Sequence, residues 1–169
     1  MGDVTVTQQD ALDEAWEMLQ NGNVARGVEV ITDLAKQDYP SAQFRLAIMY
    51  TQGRYVDQDF NTAFNWFEKC AEQGSISGQA MLGECYLLGR GTPRDYNKAM
   101  ELLLDAGNQG NVIAQCLLGD VYRRQTFDGI YTEEEATEHW DIPEAIVWFS
   151  RAAAQGDEYA INMIQAICG

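Results

Sequence analysis

Apolar and small residues recur along this chain at the spacing of a helical face, and the whole pattern returns every 36 residues. In the segments AQFRLAIMY and GQAMLGECY these residues stand at i, i+4 and i+8, which places them on one side of a helix. Later in the chain the step becomes 46 residues, so that Gly110 corresponds to Gly156. We therefore expect repeated helical units. Matching positions are Leu46, Leu82 and Leu118; Tyr50, Tyr86 and Tyr122; and Ala63, Ala99 and Ala145.

Each repeated unit is predicted to contain two helices. A glycine-containing turn follows the first helix, with the sequence QGRYVDQD in one unit and LGRGTPRD in the next. Asp59 and Asp95 stand just before the second helix, where a carboxylate can accept hydrogen bonds from free N–H groups. Gly74 and Gly110 come at its end, as expected where a left-handed residue stops a helix.

The repeated positions also predict how the helices pack. Gly83 and Gly119 should let a neighbouring helix approach closely, and the recurring aromatic residues should fill the space between helices. The four cysteines, at positions 70, 85, 116 and 168, fall on apolar stripes and form no CxxC pair. They are expected to be buried free thiols, because free cysteine behaves as a small hydrophobic residue.

The two ends of the chain differ from the repeats between them. Residues 8–20 and 24–37 predict a first helix pair joined by the turn Asn21-Gly22-Asn23, and residues 157–168 predict a lone final helix. Gln165 stands in that helix where the repeats have glycine, and a capping helix tolerates a polar residue there. We expect a single domain over residues 1–169, made of an N-terminal pair at 8–40, repeats at 41–74, 77–110 and 113–156, and a capping helix at 157–168.

The repeated pattern AxxxLxxxYxxGxxxxxDxxxAxxWxxxxAxxG resembles the Sel1-like repeat, a relative of the tetratricopeptide repeat. The resemblance implies an all-α fold, a right-handed α-solenoid of antiparallel helix pairs, with about three and a half to four repeats plus the capping helix. It is carried in the first copy by Ala42, Leu46, Tyr50, Gly53, Asp59, Ala63, Trp66, Ala71 and Gly74; in the second by Gly78, Leu82, Gly83, Tyr86, Gly89, Gly91, Asp95, Ala99, Leu102 and Gly110; and in the third by Ala114, Leu118, Gly119, Tyr122, Ala145, Trp148, Ala153 and Gly156.

The same resemblance implies a function. Proteins with this repeat resemble adaptors that bring other proteins together, frequently in bacterial signalling, envelope regulation and host contact, and some members neutralise toxins as immunity proteins. One subgroup carries a disulfide in each repeat. This chain departs from that subgroup, because Gly78 and Gln79 stand where a partner for Cys70 would be needed.

Charge narrows the class of partner. The chain has 11 Lys and Arg against 26 Asp and Glu, for a formal net charge of −15. Such a surface repels nucleic acid and anionic lipid, and it favours a protein partner with a basic patch or serves solubility alone. No segment approaches the ~20 apolar residues of a membrane span. The N-terminus lacks the features of a secretory signal, so a cytoplasmic location is expected, although a periplasmic or secreted chain whose signal had been removed would look the same.

The sequence offers little for catalysis or cofactor binding. The single histidine, His139, has no nucleophile motif around it, and no zinc-protease, phosphate-loop or dinucleotide motif is present. The neighbouring acids could collect a cation, but a run of acids is usually a solvated face. We therefore predict no catalytic residues, no metal site and no cofactor.

Two surfaces are candidates for partner binding. In solenoids of this type the first helices of the pairs line the concave face, so residues that flank the repeated Leu-Gly-Tyr stripe should face a groove. The alternative is that they are merely solvated. The predicted groove residues are Phe44, Ile48, Thr51, Glu84, Leu87, Asp120, Arg123 and Arg124.

The second surface is the insertion at residues 125–140, here named the acidic loop. It lies between the two helices of the third pair, where a loop can grow at a cost of only ~0.6 kcal/mol per doubling of its length. Its aromatic residues offer contact area, and its acidic residues would steer the encounter with a partner toward a basic patch on that partner. The competing explanation is neutral drift. The candidate residues are Phe127, Tyr131, Glu133, Glu134, Glu135, Glu138, His139 and Trp140.

The leading hypothesis is a non-enzymatic scaffold or adaptor that binds another protein through the groove and the acidic loop. The alternative hypothesis is an immunity or inhibitor protein whose acidic surface neutralises a basic toxin or effector. One tight basic partner would favour immunity, and several weaker partners would favour an adaptor.

Overall fold

The computed structural model describes residues 7–123 and 141–169, and in these two ranges it contains helices and no strand. The acidic loop and Arg124 lie outside the described residues. The helices are α1 (Gln8–Gln20), α2 (Val24–Lys36), α3 (Pro40–Gln52), α4 (Phe60–Glu72), α5 (Ile76–Leu88), α6 (Tyr96–Asn108), α7 (Val112–Arg123), α8 (Ile142–Ala153) and α9 (Glu158–Cys168).

The chain divides into two compact units. The first holds the residues up to Gly78 together with Arg90–Thr92, and the second holds Gln79–Gly89 and Pro93–Gly169. In the first unit α1 packs on α2, α2 on α3, and α3 on α4. In the second unit α6 packs on α7, α7 on α8, and α8 on α9. Packing between helices that are neighbours in sequence is typical of repeat proteins. That the chain is a single domain stays a prediction.

The predicted helix caps are confirmed. The Asp59 carboxylate accepts hydrogen bonds from the backbone N–H groups of Asn61 and Thr62, at 3.0 and 3.1 Å, and Asp95 accepts one from Lys98 at 3.0 Å. Each bond satisfies a donor that the first turn of a helix leaves free. The glycines at the helix ends have positive φ angles, for example 89° at Gly110, which a residue with a Cβ adopts only at a cost.

A backbone hydrogen bond closes the connection inside each repeat, including the repeat with the insertion. In every case an aspartate N–H donates to the carbonyl of the repeated tyrosine at 3.0 Å. The acidic loop therefore leaves and re-enters the repeat at the same bonded pair as the short turns do. The pairs are Asp59 with Tyr50, Asp95 with Tyr86, and Asp141 with Tyr122.

The repeated glycines admit neighbouring helices, as the pattern predicted. A Cβ added to Gly119 would lie 2.6 Å from the ring of Phe149, and one added to Gly83 would lie 2.9 Å from Cγ of Leu103. Both of these partners are completely buried. The close approach of α7 to α8, and of α5 to α6, therefore depends on the missing side chain.

Two buried glutamines join successive helices, and the hydrophobic pattern did not predict them. The Gln43 side chain donates to the carbonyl of Ala35 at 3.2 Å and accepts from the Gln73 amide at 2.8 Å. Gln115, two repeats later, donates to the Gly107 carbonyl and accepts from the side-chain amide of Gln155, which lies in the turn after α8. The carbonyls of Ala35 and Gly107 also accept a backbone N–H bond, so each glutamine adds a second bond at a helix end. Because both glutamines are buried, the same bonds satisfy their own amide groups.

The expectation that every cysteine is buried is only partly correct. Cys70 and Cys85 are buried, Cys116 is half-buried, and Cys168 is exposed at the end of α9. All four are free thiols.

Candidate functional site

An open cleft of about 490 Å³ lies in the first unit, along the surface of α3. We call it the α3 cleft. Its size is within the range of ~300–1,000 Å³ that is typical of ligand sites. Its lining comes from α1, from α3, from the connection between α3 and α4, and from the start of α5. The lining residues are Trp16, Pro40, Ser41, Phe44, Arg45, Ile48, Met49, Gln52, Arg54, Tyr55, Ser75 and Ser77.

Helix α3 supplies the floor of the cleft through one of its faces. The opposite face of α3 carries Ala42 and Leu46, which are buried in the core of the first unit, so the face that carries Phe44 and Ile48 is left half-exposed. The Phe44 ring is fixed by an edge-to-face contact with Phe67, whose side chain is fully buried, at 5.9 Å between ring centroids. This part of the floor is therefore preorganised.

Trp16 and Tyr55 form an aromatic wall. Their ring centroids are 6.1 Å apart and the rings meet at 83°, which is an edge-to-face pair. Trp16 lies in α1 beside Ala15, at the edge of the face that α1 buries in the core. Tyr55 lies in the connection between α3 and α4. The two rings are 39 positions apart in the sequence, and the packing of α1 beside α3 and the connection that follows it brings them together.

Tyr55 adopts an unusual backbone conformation. Its φ angle is 72°, in the left-handed region, where a bulky residue is a genuine outlier. One repeat later Gly91 occupies the equivalent position with a φ angle of 75°. A Cβ on Gly91 would collide with the carbonyl of Phe60, so glycine is required there. The first repeat keeps a tyrosine at this position despite a strain of ~1–3 kcal/mol.

Two arginines lie over the aromatic wall. The guanidinium carbon of Arg45 is 5.1 Å from the centre of the Trp16 ring, and that of Arg54 is 4.9 Å from the centre of the Tyr55 ring. Both distances are in the range of cation–π contacts. Arg45 also makes a long ion pair with Asp13, at 3.7 Å, and both of these side chains remain accessible to solvent. Among the described residues, the lining of the cleft contains these two cations and no carboxylate.

The predicted groove residues fall in both units and differ in their exposure. Phe44 and Ile48 line the α3 cleft. Thr51 is outside the lining, and its hydroxyl donates to the Ala47 carbonyl of the same helix at 2.9 Å. Glu84, in the second unit, is partly exposed. Arg124 and the candidate residues of the acidic loop lie outside the described residues.

Three further groove candidates are buried or bonded within the second unit. Leu87 is completely buried, so its side chain belongs to the core and is not available to a partner. The Asp120 carboxylate is 6% exposed and accepts hydrogen bonds from the Tyr159 hydroxyl at 2.7 and 2.8 Å. Arg123 lies 3.6 Å from the same carboxylate. Asp120 therefore joins α7 to α9, which carries Tyr159.

The sequence reasoning missed Trp16, Arg45, Arg54 and Tyr55. A signal existed for Arg45, because Ser41, Arg45, Ile48 and Gln52 follow the helical period along α3 and mark one face. No local signal existed for Trp16 or Tyr55. Their membership of the cleft follows from the packing of separate segments.

No metal site or membrane-spanning helix is found in the described parts of the chain. Within residues 7–123 and 141–169, no three His, Cys, Asp or Glu side chains are grouped so that they could hold a metal ion. In the same ranges no helix combines the length and the apolar character needed to cross a membrane. The acids of the acidic loop fall outside these ranges.

Comparison with solved structures shows the fold. A protective antigen of uropathogenic Escherichia coli strains that displays an SLR fold is 25% identical over 95% of this chain, with a TM-score of 0.74. A Sel1 repeat protein from Oxalobacter formigenes is 23% identical over 97% of this chain, also with a TM-score of 0.74. This chain spans 33% of the first protein and 64% of the second. The predicted all-α solenoid of helix pairs is thereby confirmed.

A third solved structure and the family comparison agree with this result. A Sel1 repeat protein from Klebsiella pneumoniae subsp. pneumoniae is 19% identical over 96% of this chain and 93% of its own, with a TM-score of 0.58. A search of curated proteins gave no match. The model of the Sel1 repeat matches residues 40–75, 76–111 and 112–157, which together make up more than half of the chain. The chain therefore belongs to the Sel1 repeat family.

Proposed function

We propose that this protein is a non-catalytic scaffold that binds another protein, with the α3 cleft as the main docking site and the acidic loop as a second contact. Sel1 repeat proteins generally act as protein-interaction scaffolds and are generally non-catalytic. The observation that carries the proposal is the cleft itself. It combines an apolar floor with polar and cationic groups at its edge, which is the arrangement of a binding pocket.

The floor of the cleft offers contact area with little loss of side-chain entropy on binding. Phe44 is held against the buried Phe67, so its ring loses little freedom when a partner covers it. Ile48 is half-exposed beside it. A partner side chain that covers both removes apolar surface from water, which contributes about 25 cal/mol for each Å² of area.

The acidic loop is proposed as a contact on different grounds. Its ends are fixed by the bond between the Asp141 N–H and the Tyr122 carbonyl, which is the same bond that closes the short turns. This repeat is therefore closed by the same backbone bond as the repeats with short turns. Their aromatic and acidic composition fits a basic surface on a partner.

A capture experiment with matched variants tests this function. The intact chain, Ile48→Glu, Ile113→Glu and a chain lacking residues 126–135 would be immobilised and exposed to the lysate of the native organism. Ile113 is 39% exposed on α7 in the second unit, so the same substitution there controls for the added charge. We expect a partner that the intact chain and Ile113→Glu capture equally and that Ile48→Glu loses.

The outcome separates the two proposed contacts. Reduced capture by the chain lacking residues 126–135 would support the acidic loop as a contact. Equal capture by that chain would leave the cleft as the site and make the loop dispensable. Equal capture by Ile48→Glu, with circular dichroism showing that every variant is folded, would contradict docking in the cleft.

The net charge of −15 favours one alternative, an immunity or inhibitor protein that neutralises a basic toxin or effector. The same experiment distinguishes it from an adaptor. A single tightly held basic protein, encoded beside the gene of this chain, would indicate immunity. Several partners of weaker affinity would indicate an adaptor.

A further inference from the structure

The α3 cleft carries the opposite charge to the rest of the molecule. Acidic residues outnumber basic ones by 26 to 11 in the whole chain. Within the described part of the chain, the residues that line the cleft include Arg45 and Arg54 and no Asp or Glu. A cationic cleft on an anionic protein attracts negative groups to one place and repels them elsewhere.

Both arginines keep donors for a ligand. Arg54 is exposed and forms no ion pair among the described residues, and its guanidinium lies against the Tyr55 ring. Arg45 makes a long ion pair of 3.7 Å with Asp13, and 34% of its side chain is exposed. A guanidinium has five N–H donors in a fixed plane, and this geometry matches a carboxylate. The rings beneath the arginines limit their movement and so lower the entropy lost on binding.

The strained backbone at Tyr55 indicates that this wall of the cleft is not required by the repeat. The second repeat has Gly91 at the same position and the same φ region, so the turn itself needs no side chain there. Tyr55 nevertheless supplies one face of the cleft and supports Arg54. Strain of this kind at a turn is typical of binding sites.

We propose that the α3 cleft binds an acidic peptide segment of a partner protein, in which an apolar or aromatic side chain enters between Trp16, Phe44 and Ile48 and neighbouring Asp or Glu side chains pair with Arg45 and Arg54. The proposal rests on the proposed function and specifies the ligand of that same site. A basic segment is disfavoured, because it would bring like charges against two arginines. A neutral apolar segment would leave the guanidinium groups without anionic partners.

Selection from a random dodecapeptide library displayed on phage tests the specificity, and it does not require that the partner be identified first. The library would be panned against the intact chain and counter-selected against Ile48→Glu. We expect enriched peptides in which Asp or Glu flanks an aromatic or large aliphatic residue. The most enriched sequence would then be synthesised in three forms: as selected, with Lys in place of each acid, and with Ser in place of the apolar residue.

Binding of the synthetic peptides would be measured by fluorescence anisotropy. Arg54→Gln should weaken binding of the acidic peptide about two- to fivefold, which is the effect of one exposed ion pair. Arg45→Gln should weaken binding at least as much. Arg26→Gln is the matched control, because it removes the same charge from an exposed position on α2 outside the cleft. It should leave the affinity unchanged. Added salt should reduce the affinity for the intact chain and have a smaller effect on Arg54→Gln.

The outcomes separate this inference from the proposed function. Enrichment of neutral or basic peptides that fail on Ile48→Glu would overturn the inference while the cleft stayed a docking site. If the selected peptides bind Ile48→Glu with the same affinity as the intact chain, the cleft is not their binding site and both proposals lose it. No enrichment, or equal weakening by Arg54→Gln and Arg26→Gln, would also overturn the acidic specificity. Arg54 is exposed, so its substitution keeps the test valid even if Ile48→Glu is unstable.

Discussion

When Tyr55 is replaced, the glycine variant should be more stable than the alanine variant, which is the reverse of the usual order. At an ordinary position alanine gives the more stable protein, because glycine loses more backbone freedom when the chain folds. The backbone at Tyr55 has a φ angle of 72°, in the left-handed region. Alanine retains the steric conflict of a Cβ in that region, and glycine removes it.

The magnitude follows from two opposing contributions. The left-handed conformation costs a residue with a Cβ about 1–2 kcal/mol. The greater freedom of glycine in the unfolded chain costs about 0.4–1 kcal/mol. Tyr55→Gly should therefore exceed Tyr55→Ala in free energy of unfolding by roughly 0.5–1 kcal/mol. Both variants lose the edge-to-face contact with Trp16, so that loss cancels in the comparison.

Urea denaturation followed by circular dichroism and tryptophan fluorescence measures the difference. Glu17, exposed on α1, provides the control, because Glu17→Ala should be about 1 kcal/mol more stable than Glu17→Gly in a helix. If Tyr55→Ala equals or exceeds Tyr55→Gly while the Glu17 pair shows the normal order, the argument from backbone strain is refuted. Both Tyr55 variants should also bind the acidic peptide more weakly, because each removes a wall of the α3 cleft.

Three further predictions concern stability and reactivity. Gln43→Leu should lower the free energy of unfolding by about 1–3 kcal/mol, measured in urea, because it removes two hydrogen bonds of a buried side chain, one to the Ala35 carbonyl and one from the Gln73 amide; an unchanged midpoint would contradict that role. Burial, with the nearby carboxylates, raises the pKa of Cys116 to about 12. At pH 8 iodoacetamide should therefore modify the exposed Cys168 and spare Cys116 in the native protein, as measured by mass spectrometry. Equal labelling of the two cysteines would refute this prediction. Hydrogen bonds from Thr62 lower the pKa of Asp59. The stabilising effect of the Asp59 carboxylate is therefore fully present above the unfolded pKa near 4, and it is lost as the pH falls through the folded value. Asp59→Asn should flatten the acid limb of the curve of unfolding free energy against pH.

The helices and their limits could be predicted from the sequence because they depend on local signals. The first pair was predicted at residues 8–20 and 24–37, and the structure has helices at Gln8–Gln20 and Val24–Lys36. Asp59 was predicted as a helix cap and accepts two backbone N–H bonds. Caps, glycine stops and the apolar period all act within a few residues, so no distant contact is needed to find them.

The candidate site could be predicted only in part. Ile48, Glu84 and Asp120 occupy the same position in three successive repeats. Ile48 lines the α3 cleft, Glu84 is partly exposed, and Asp120 is buried beneath the Tyr159 hydroxyl of the last helix. Equivalent sequence positions therefore have different surroundings. Whether a helix face is open depends on which neighbour covers it, and the repeat pattern does not contain that information.

The sequence by itself determined the repeat, the order of the helices and their caps, because backbone hydrogen bonding and apolar periodicity are encoded over short distances. Tertiary structure alone decided that Trp16 meets Tyr55 and that Arg45 and Arg54 lie over these rings. These contacts join α1, α3 and a turn that are far apart in the chain. A cationic cleft on a protein of net charge −15 arises from that convergence in space, which no local pattern of residues records.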